Sequence, residues 1–245
     1  MTFSDDIKEK VVTILNEEWS IRETETVPRT QDLTLKNGAA RIKAVFLYAD
    51  LASSTQLQKV YKDTFAAKAI RMYLAGASTI IRNFGGQIKS FDGDRVMGVF
   101  TGKAKCNNAV RAAFMINWLV VKIINPLVKT RHQNNGSTVW QAEHGIGIDV
   151  GDTFVARAGV RNSSGETTHN DLIFTKRAPN IAAKLSSLRG SDTGPVVITE
   201  DVYNCLNPEQ KTYLNSDTPV WKKVESQTVG PYLLNLYKTN YWRNS

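Results

Sequence analysis

Cysteine is scarce in this 245-residue chain. Cys106 and Cys205 stand apart, with no CxxC pair and no Cys/His cluster. That spacing excludes a disulfide framework and a structural zinc site, and both thiols read as buried or half-buried core groups. Histidine is nearly as rare: none of His132, His144 and His169 has a partner at metal-ligand spacing. No apolar run approaches a membrane span. The longest lies around residues 118–124; it is interrupted by Asn117 and Lys122 and stops at Asn125 and Pro126. The first residues are acidic, without the basic and apolar regions of a signal peptide. A cytoplasmic protein with no membrane partner is the expectation. There is no block of consecutive Lys or Arg, no internal repeat and no low-complexity tract.

What remains is an ordinary globular composition, 42% apolar and 22% charged, with a net charge of +8. That charge favours polyanionic partners. A nucleoside triphosphate fits it, and the lack of a basic block argues against nucleic acid.

Two segments carry the chemistry. Residues 44–55 read AVFLYADLASST and residues 85–100 read GGQIKSFDGDRVMGVF. Each sets a carboxylate beside a strand-like apolar stretch: Asp50 closes one strand, and Asp94 follows the Asp92-Gly93 turn that opens another. Taken singly, such an Asp is most simply a turn former or helix cap. Taken together, two carboxylates at neighbouring strand ends can hold a pair of divalent ions about 3.5–4 Å apart, a clamp for in-line phosphoryl and nucleotidyl transfer.

Residues 4–19 have helical periodicity, with Ser4 as N-cap, and residues 20–38 read as a linker or arm. This gives an arm at 1–38 and one domain at 39–245. In the domain, strands are expected at residues 42–49, 87–91, 95–100, 140–150, 153–159 and 172–174. Helices are expected at 54–84, 106–124 and 179–188, with a polar loop at 130–138 and a Ser/Gly-rich loop after residue 159. The order strand–helix–strand–strand–helix–strand is a ferredoxin-like βαββαβ core, an α+β fold with helices on one face of an antiparallel sheet.

The two segments resemble the metal-binding motifs of class III nucleotidyl cyclases. Residues 144–152 (HGIGIDVGD) and 170–185 (NDLIFTKRAPNIAAKL) extend the resemblance in the same order. The resemblance implies that Asp50 and Asp94 hold two Mg2+ or Mn2+ ions. It implies that the backbone of Leu51, Ala52, Ser53, Ser54 and Thr55 cradles phosphate, and that Asn180 orients the ribose. The family's transition-state Arg is Lys184 here, which keeps the charge and loses the bidentate fork; Arg177 is the alternative. Head-to-tail homodimers with sites shared between protomers are implied as well.

The adenine-reading positions hold Ser90 and Ile173, and Lys89 is displaced by one residue, to the opposite strand face. The turn at 92–97 and the stretch at 178–185 look most like the pyrimidine cyclases of bacterial Pycsar antiphage defence. That resemblance implies cyclic UMP, or less favourably cyclic CMP, as the product, and a separate effector that reads it. Tyr48 shares a strand face with Asp50. It reads equally as a core aromatic and as a group that narrows the base pocket. The alternatives are an adenylate or guanylate cyclase, a non-catalytic nucleotide-binding cyclase-like domain, and an RNA-recognition module of the same core. The last would need exposed stacking aromatics in an RNP1 pattern that residues 95–100 lack.

Overall fold

The computed structural model describes residues 2–132, 139–161, 167–188 and 194–244. In chain order the elements are α1 (Phe3–Asn16), β1 (Ser20–Glu23), β2 (Gly38–Leu51), α2 (Ser54–Val60), α3 (Asp63–Asn83), β3 (Gln87–Asp92) and β4 (Arg95–Phe100). There follow α4 (Lys105–Trp118), a π-helical turn (Leu119–Ile124), α5 (Asn125–His132), β5 (His144–Arg161) and β6 (Thr167–Thr175). The chain closes with α6 (Arg177–Leu185), β7 (Val196–Thr199), α7 (Glu200–Asn204), β8 (Lys222–Val229) and β9 (Tyr232–Thr239). These fall into two units: residues 1–43 with 152–176, and residues 44–151 with 177–245.

In the first unit, α1 is capped by Thr2 rather than Ser4. Thr2 and Asp5 exchange side-chain and backbone bonds as a capping box. The linker expected at residues 20–38 instead contains β1, which runs parallel to β2 with Ser20 opposite Gly38. Asn37 fastens this segment through Glu18 O at 3.0 Å, and Trp19 meets Phe154 edge-on at 5.3 Å. The far half of β5 pairs antiparallel with β6, Phe154 opposite Thr175. The break expected near residue 151 is absent, because β5 is one continuous strand. Strand pairing between residues far apart in sequence leaves no local period to read, which is why the arm looked structureless.

In the second unit the strands run β3-β4-β2-β5-β7-β9-β8. The first four are the order of a ferredoxin-like core, as expected. Val45, Leu47, Ala49 and Leu51 of β2 face a core shared with Tyr73, Ala77 and Ile81 of α3 and Phe114 and Ile116 of α4. The core's helices therefore cover one face, and Phe46, Tyr48 and Asp50 point to the other. A smaller cluster on that other face packs Ile181 and Leu185 of α6 against Val197 and Leu236.

Four expectations are corrected here. The first helix is two helices, because Tyr61 and Lys62 are extended. The break lets Leu57 pack against Ala66 and Ala69, and it leaves Val60 exposed. The second helix does not stop at Pro126. Proline has no N–H and crowds the preceding turn, and the π turn absorbs both: the Asn125 amide reaches Val120 O, five residues back. Asn125 also holds Ala142 through both backbone groups, at 2.7 and 3.1 Å. The resulting helix from Lys105 to Arg131 is long and apolar enough to cross a bilayer by length and composition, but its apolar side builds the core. Residues 130–132 of the expected polar loop are thus helical, while 133–138, like 162–166 of the Ser/Gly loop, lie outside the described residues. Finally, Cys205 is exposed and Cys106 alone is buried.

Candidate active site

The end of β2 meets the β3–β4 hairpin. Gly93 and Asp94 are the two central residues of its turn, and Gly93 has φ 62°, a conformation that favours glycine. Pairing places Asp50 opposite Arg95, and the Leu51 amide donates to Asp94 O at 3.3 Å. The backbones of Asp50 and Asp94 are thus neighbours at one edge. Asp50 is 8% exposed and Asp94 half-buried.

Register also aligns Tyr48 with Met97 and Met97 with Ser90, so these three share the face of Asp50. Arg95 lies over the Tyr48 ring, 5.3 Å from its centroid, and is held by Asp92 at 2.6 Å. Burial pushes the Tyr48 hydroxyl above its usual range, and the Arg95 charge opposes the shift. Arg95 was missed from sequence; the signal was its place directly opposite Asp50. Lys89 is the extra residue of a β-bulge between Ile88 and Ser90. Strict alternation fails at a bulge, so the expected flip of Lys89 to the opposite face does not follow.

The loop after Asp50 departs from expectation at two positions. The amide of Leu51 is used by Asp94 O and that of Ala52 by Glu143 O at 2.7 Å, so neither is available to a phosphate. Ser53 has φ 57°, a left-handed conformation costly for a residue with a Cβ, and it opens α2. The amides of Ser53, Ser54 and Thr55 stand at that helix start.

Asn180 and Lys184 are exposed on α6, one turn apart on one face. This helix lies directly on β5. A Cβ at Gly147 would sit 2.1 Å from Ala182 O, so only glycine permits the approach. The Lys184 stem passes the β8–β9 turn, its Cε 3.1 Å from where a Gly230 side chain would begin.

Arg177, the first residue of α6, donates through Nε and Nη2 to the two oxygens of Asp149, both at 3.3 Å, and through Nη2 to Asp201. Asp149 is fully buried and also accepts from Thr199 Oγ1 at 2.6 Å. Burial pushes its carboxyl up, against the opposing bonds from Thr199 and Arg177. The guanidinium offered from sequence as a transition-state group is therefore committed to two carboxylates. Ile173, on β6, belongs to the first unit, where it pairs with Ala156 of β5 and is 45% exposed.

Among the described residues no group of three or more His, Cys, Asp or Glu could hold a metal. The pair Asp50 and Asp94 supplies hard carboxylate oxygens only, the donor chemistry that suits Mg2+ or Mn2+.

No protein-family model matches the chain. It is similar to the uridylate cyclase of Rhodovulum sp. (strain MB263), 37% identical over 99% of this chain and 98% of that one. It is also similar to the uridylate cyclase of Xanthomonas perforans, 38% identical over 99% of both chains. Among solved structures, the adenylyl cyclase CyaB from P. aeruginosa shares the fold, with a TM-score of 0.65 and 19% identity over 84% of this chain and 97% of that one. The sheet order and the end-to-end match agree, and the chain belongs to the uridylate cyclase family, on the class III nucleotidyl cyclase fold.

Proposed function

We propose that this chain is a pyrimidine nucleotide cyclase that converts UTP, and CTP less well, to the 3′,5′-cyclic monophosphate and pyrophosphate. The observation that carries the reading is the register that sets Asp50 beside Asp94 in a chain matching uridylate cyclases end to end. In the reaction the 3′-oxygen bonds to the α-phosphorus as the bond to pyrophosphate breaks. Asp50 and Asp94 would hold two Mg2+ or Mn2+ ions, which when bound activate the 3′-hydroxyl and draw charge from the phosphates.

The other residues act directly. Amides at Ser53, Ser54 and Thr55 meet phosphate oxygens. Asn180 orients the ribose. Lys184 sets a positive charge against the charge that builds on the phosphoryl group. Arg177 anchors α6 and does not touch substrate. Tyr48, stacked under Arg95, reads the pyrimidine by bulk and hydroxyl.

The active unit is a head-to-tail homodimer in which Asn180 and Lys184 serve the partner's carboxylates. The product is a cytoplasmic signal of antiphage defence read by a separate effector. Turnover with all four nucleotides in competition, analysed by mass spectrometry with Mg2+ or Mn2+, tests the substrate; cyclic AMP or cyclic GMP as main product refutes it. Mixing Asp50→Ala with Asn180→Ala tests the dimer: activity returns after subunit exchange if sites are shared. No recovery after confirmed exchange counts against sharing.

A further inference from the structure

The net charge of +8 is unevenly placed. Residues 44–132 carry 13 Lys and Arg against four Asp, while the rest of the chain carries 18 against 19. Three of those four, Asp50, Asp92 and Asp94, lie at the candidate site, and only Asp63 belongs to the helical layer. Residues 54–83 contribute Lys59, Lys62, Lys68, Arg71 and Arg82. Residues 101–132 contribute Lys103, Lys105, Arg111, Lys122, Lys129 and Arg131, with no carboxylate. Nine of these eleven are exposed, Lys105 and Arg111 being half-buried. None forms an ion pair with a described residue.

This layer covers the sheet face turned away from Tyr48 and Asp50. Its charge therefore does not serve the triphosphate. Like charges gathered on one face repel and destabilise the compact state, unless an anion covers them. We propose that the α3–α4–α5 face is a docking surface for double-stranded nucleic acid.

The geometry fits a rod of phosphates. The helix from Lys105 to Arg131 has 27 residues, a span of about 40 Å, and the 21 residues of α3 span about 32 Å. Cations stand along both, a band to set against a duplex that carries one charge per about 1.7 Å. Among the described residues no aromatic on α3, α4 or α5 is exposed, and the one exposed ring beside them, Trp242, lies under Lys122 Nζ at 4.6 Å, so the face lacks the row of open rings on which single strands stack. A membrane reader would gather its apolar groups for insertion. Here the exposed large apolar side chains, Val60, Met72, Val121 and Leu127, are single residues on four different elements. The contacts would be to phosphates, hence indifferent to sequence.

The inference rests on charge placement and is independent of the cyclase reading. It is tested by fluorescence anisotropy with the full chain and two labelled 30-base-pair DNA duplexes of unrelated sequence. Both are expected to bind equally at 50 mM salt. If about six phosphates are engaged, affinity falls about 10³-fold by 200 mM salt. The combined substitution Lys68→Glu, Arg71→Glu, Lys129→Glu and Arg131→Glu should weaken binding at least about tenfold, with cyclic nucleotide output unchanged. Should that variant not fold, the salt series on the unaltered protein and the same four positions changed to Gln give the answer. Absent binding at 50 mM salt, salt-insensitive binding, or full-strength binding by the substituted protein overturns the proposal. So does tighter binding to phosphatidylserine vesicles than to either duplex, which would assign the face to a membrane.

Discussion

Asp50 and Asp94 reach their edge through backbone pairing along a strand and a hairpin. Asn180 and Lys184 instead ride on α6, whose first residue is tied by side chains 28 and 24 positions away in sequence. The first arrangement holds both residues by main-chain pairing, which a change of side chain leaves in place. The second ties the start of the helix through Arg177 to the buried Asp149 and to Asp201, beside the packing of Ile181 and Leu185. Chemistry and stability should therefore separate at the hairpin and stay coupled at α6.

The largest test is at the hairpin. Asp50→Ala and Asp94→Ala should each lower cyclisation by at least about 10²-fold, the scale set by losing one group that stabilises developing charge. Strand pairing should keep both variants folded, as circular dichroism would check. Near-normal turnover by a folded variant would remove the two-carboxylate assignment.

Selectivity at the same end comes next. Tyr48→Ala should admit purine nucleotides, if bulk excludes them, by the roughly 10–200-fold that a size filter supplies. Tyr48→Phe should weaken preference between pyrimidines if the hydroxyl reads the base. Competition assays that found both variants as selective as the parent would place Tyr48 in the core alone.

At α6 the expectation is mixed. Asp149→Ala strands Arg177 and Thr199, and should cost about 1–3 kcal/mol, the range for leaving a buried partner unsatisfied. Asp201 and partial exposure of the guanidinium keep the loss below that of a fully buried pair. Turnover should fall with stability, since a displaced α6 carries Asn180 and Lys184 with it. Unchanged kcat in a destabilised Asp149→Ala protein would show that α6 is not held from this point.

The smallest effect is in pH. Burial raises the Asp149 carboxyl in the folded state, so the native protein holds this proton more tightly than the unfolded chain. That contribution is full below the ordinary carboxylate range and is lost as pH rises through the raised native value. Relative to Asp149→Asn, the parent should therefore lose stability across that window in chemical denaturation. A pH-independent difference would mean that the carboxyl is not raised.

Legibility followed the range of the contacts. Strand alternation and the Asp-Gly turn are local, and the β2 and β3–β4 segments were readable to within a few residues. The spacing of Asn180 and Lys184 is likewise a matter of one helical turn. The pairing of β1 with β2 was not readable, nor was the role of Asp149, which sits in an apolar strand and whose partners lie 28 and 50 residues away. Arg177 was visible as a cation but not as an engaged one. The face of Lys89 does not follow from alternation, because a bulge adds a residue that alternation does not count.

The π turn at Leu119–Ile124 holds one residue more than a regular helix would need between anchored ends: Asn117, bound to Asn240 O and Tyr241 O, and Asn125, bound to Ala142. Deleting one residue there would close the wide turn into a regular one and leave Asn117 and Asn125 on their partners. The same deletion from a regular stretch of the helix would instead turn all that follows by about 100°. The π turn takes up a residue without turning α5, so Lys129 and Arg131 keep their direction, and this is the point of the helix where losing one residue should cost least.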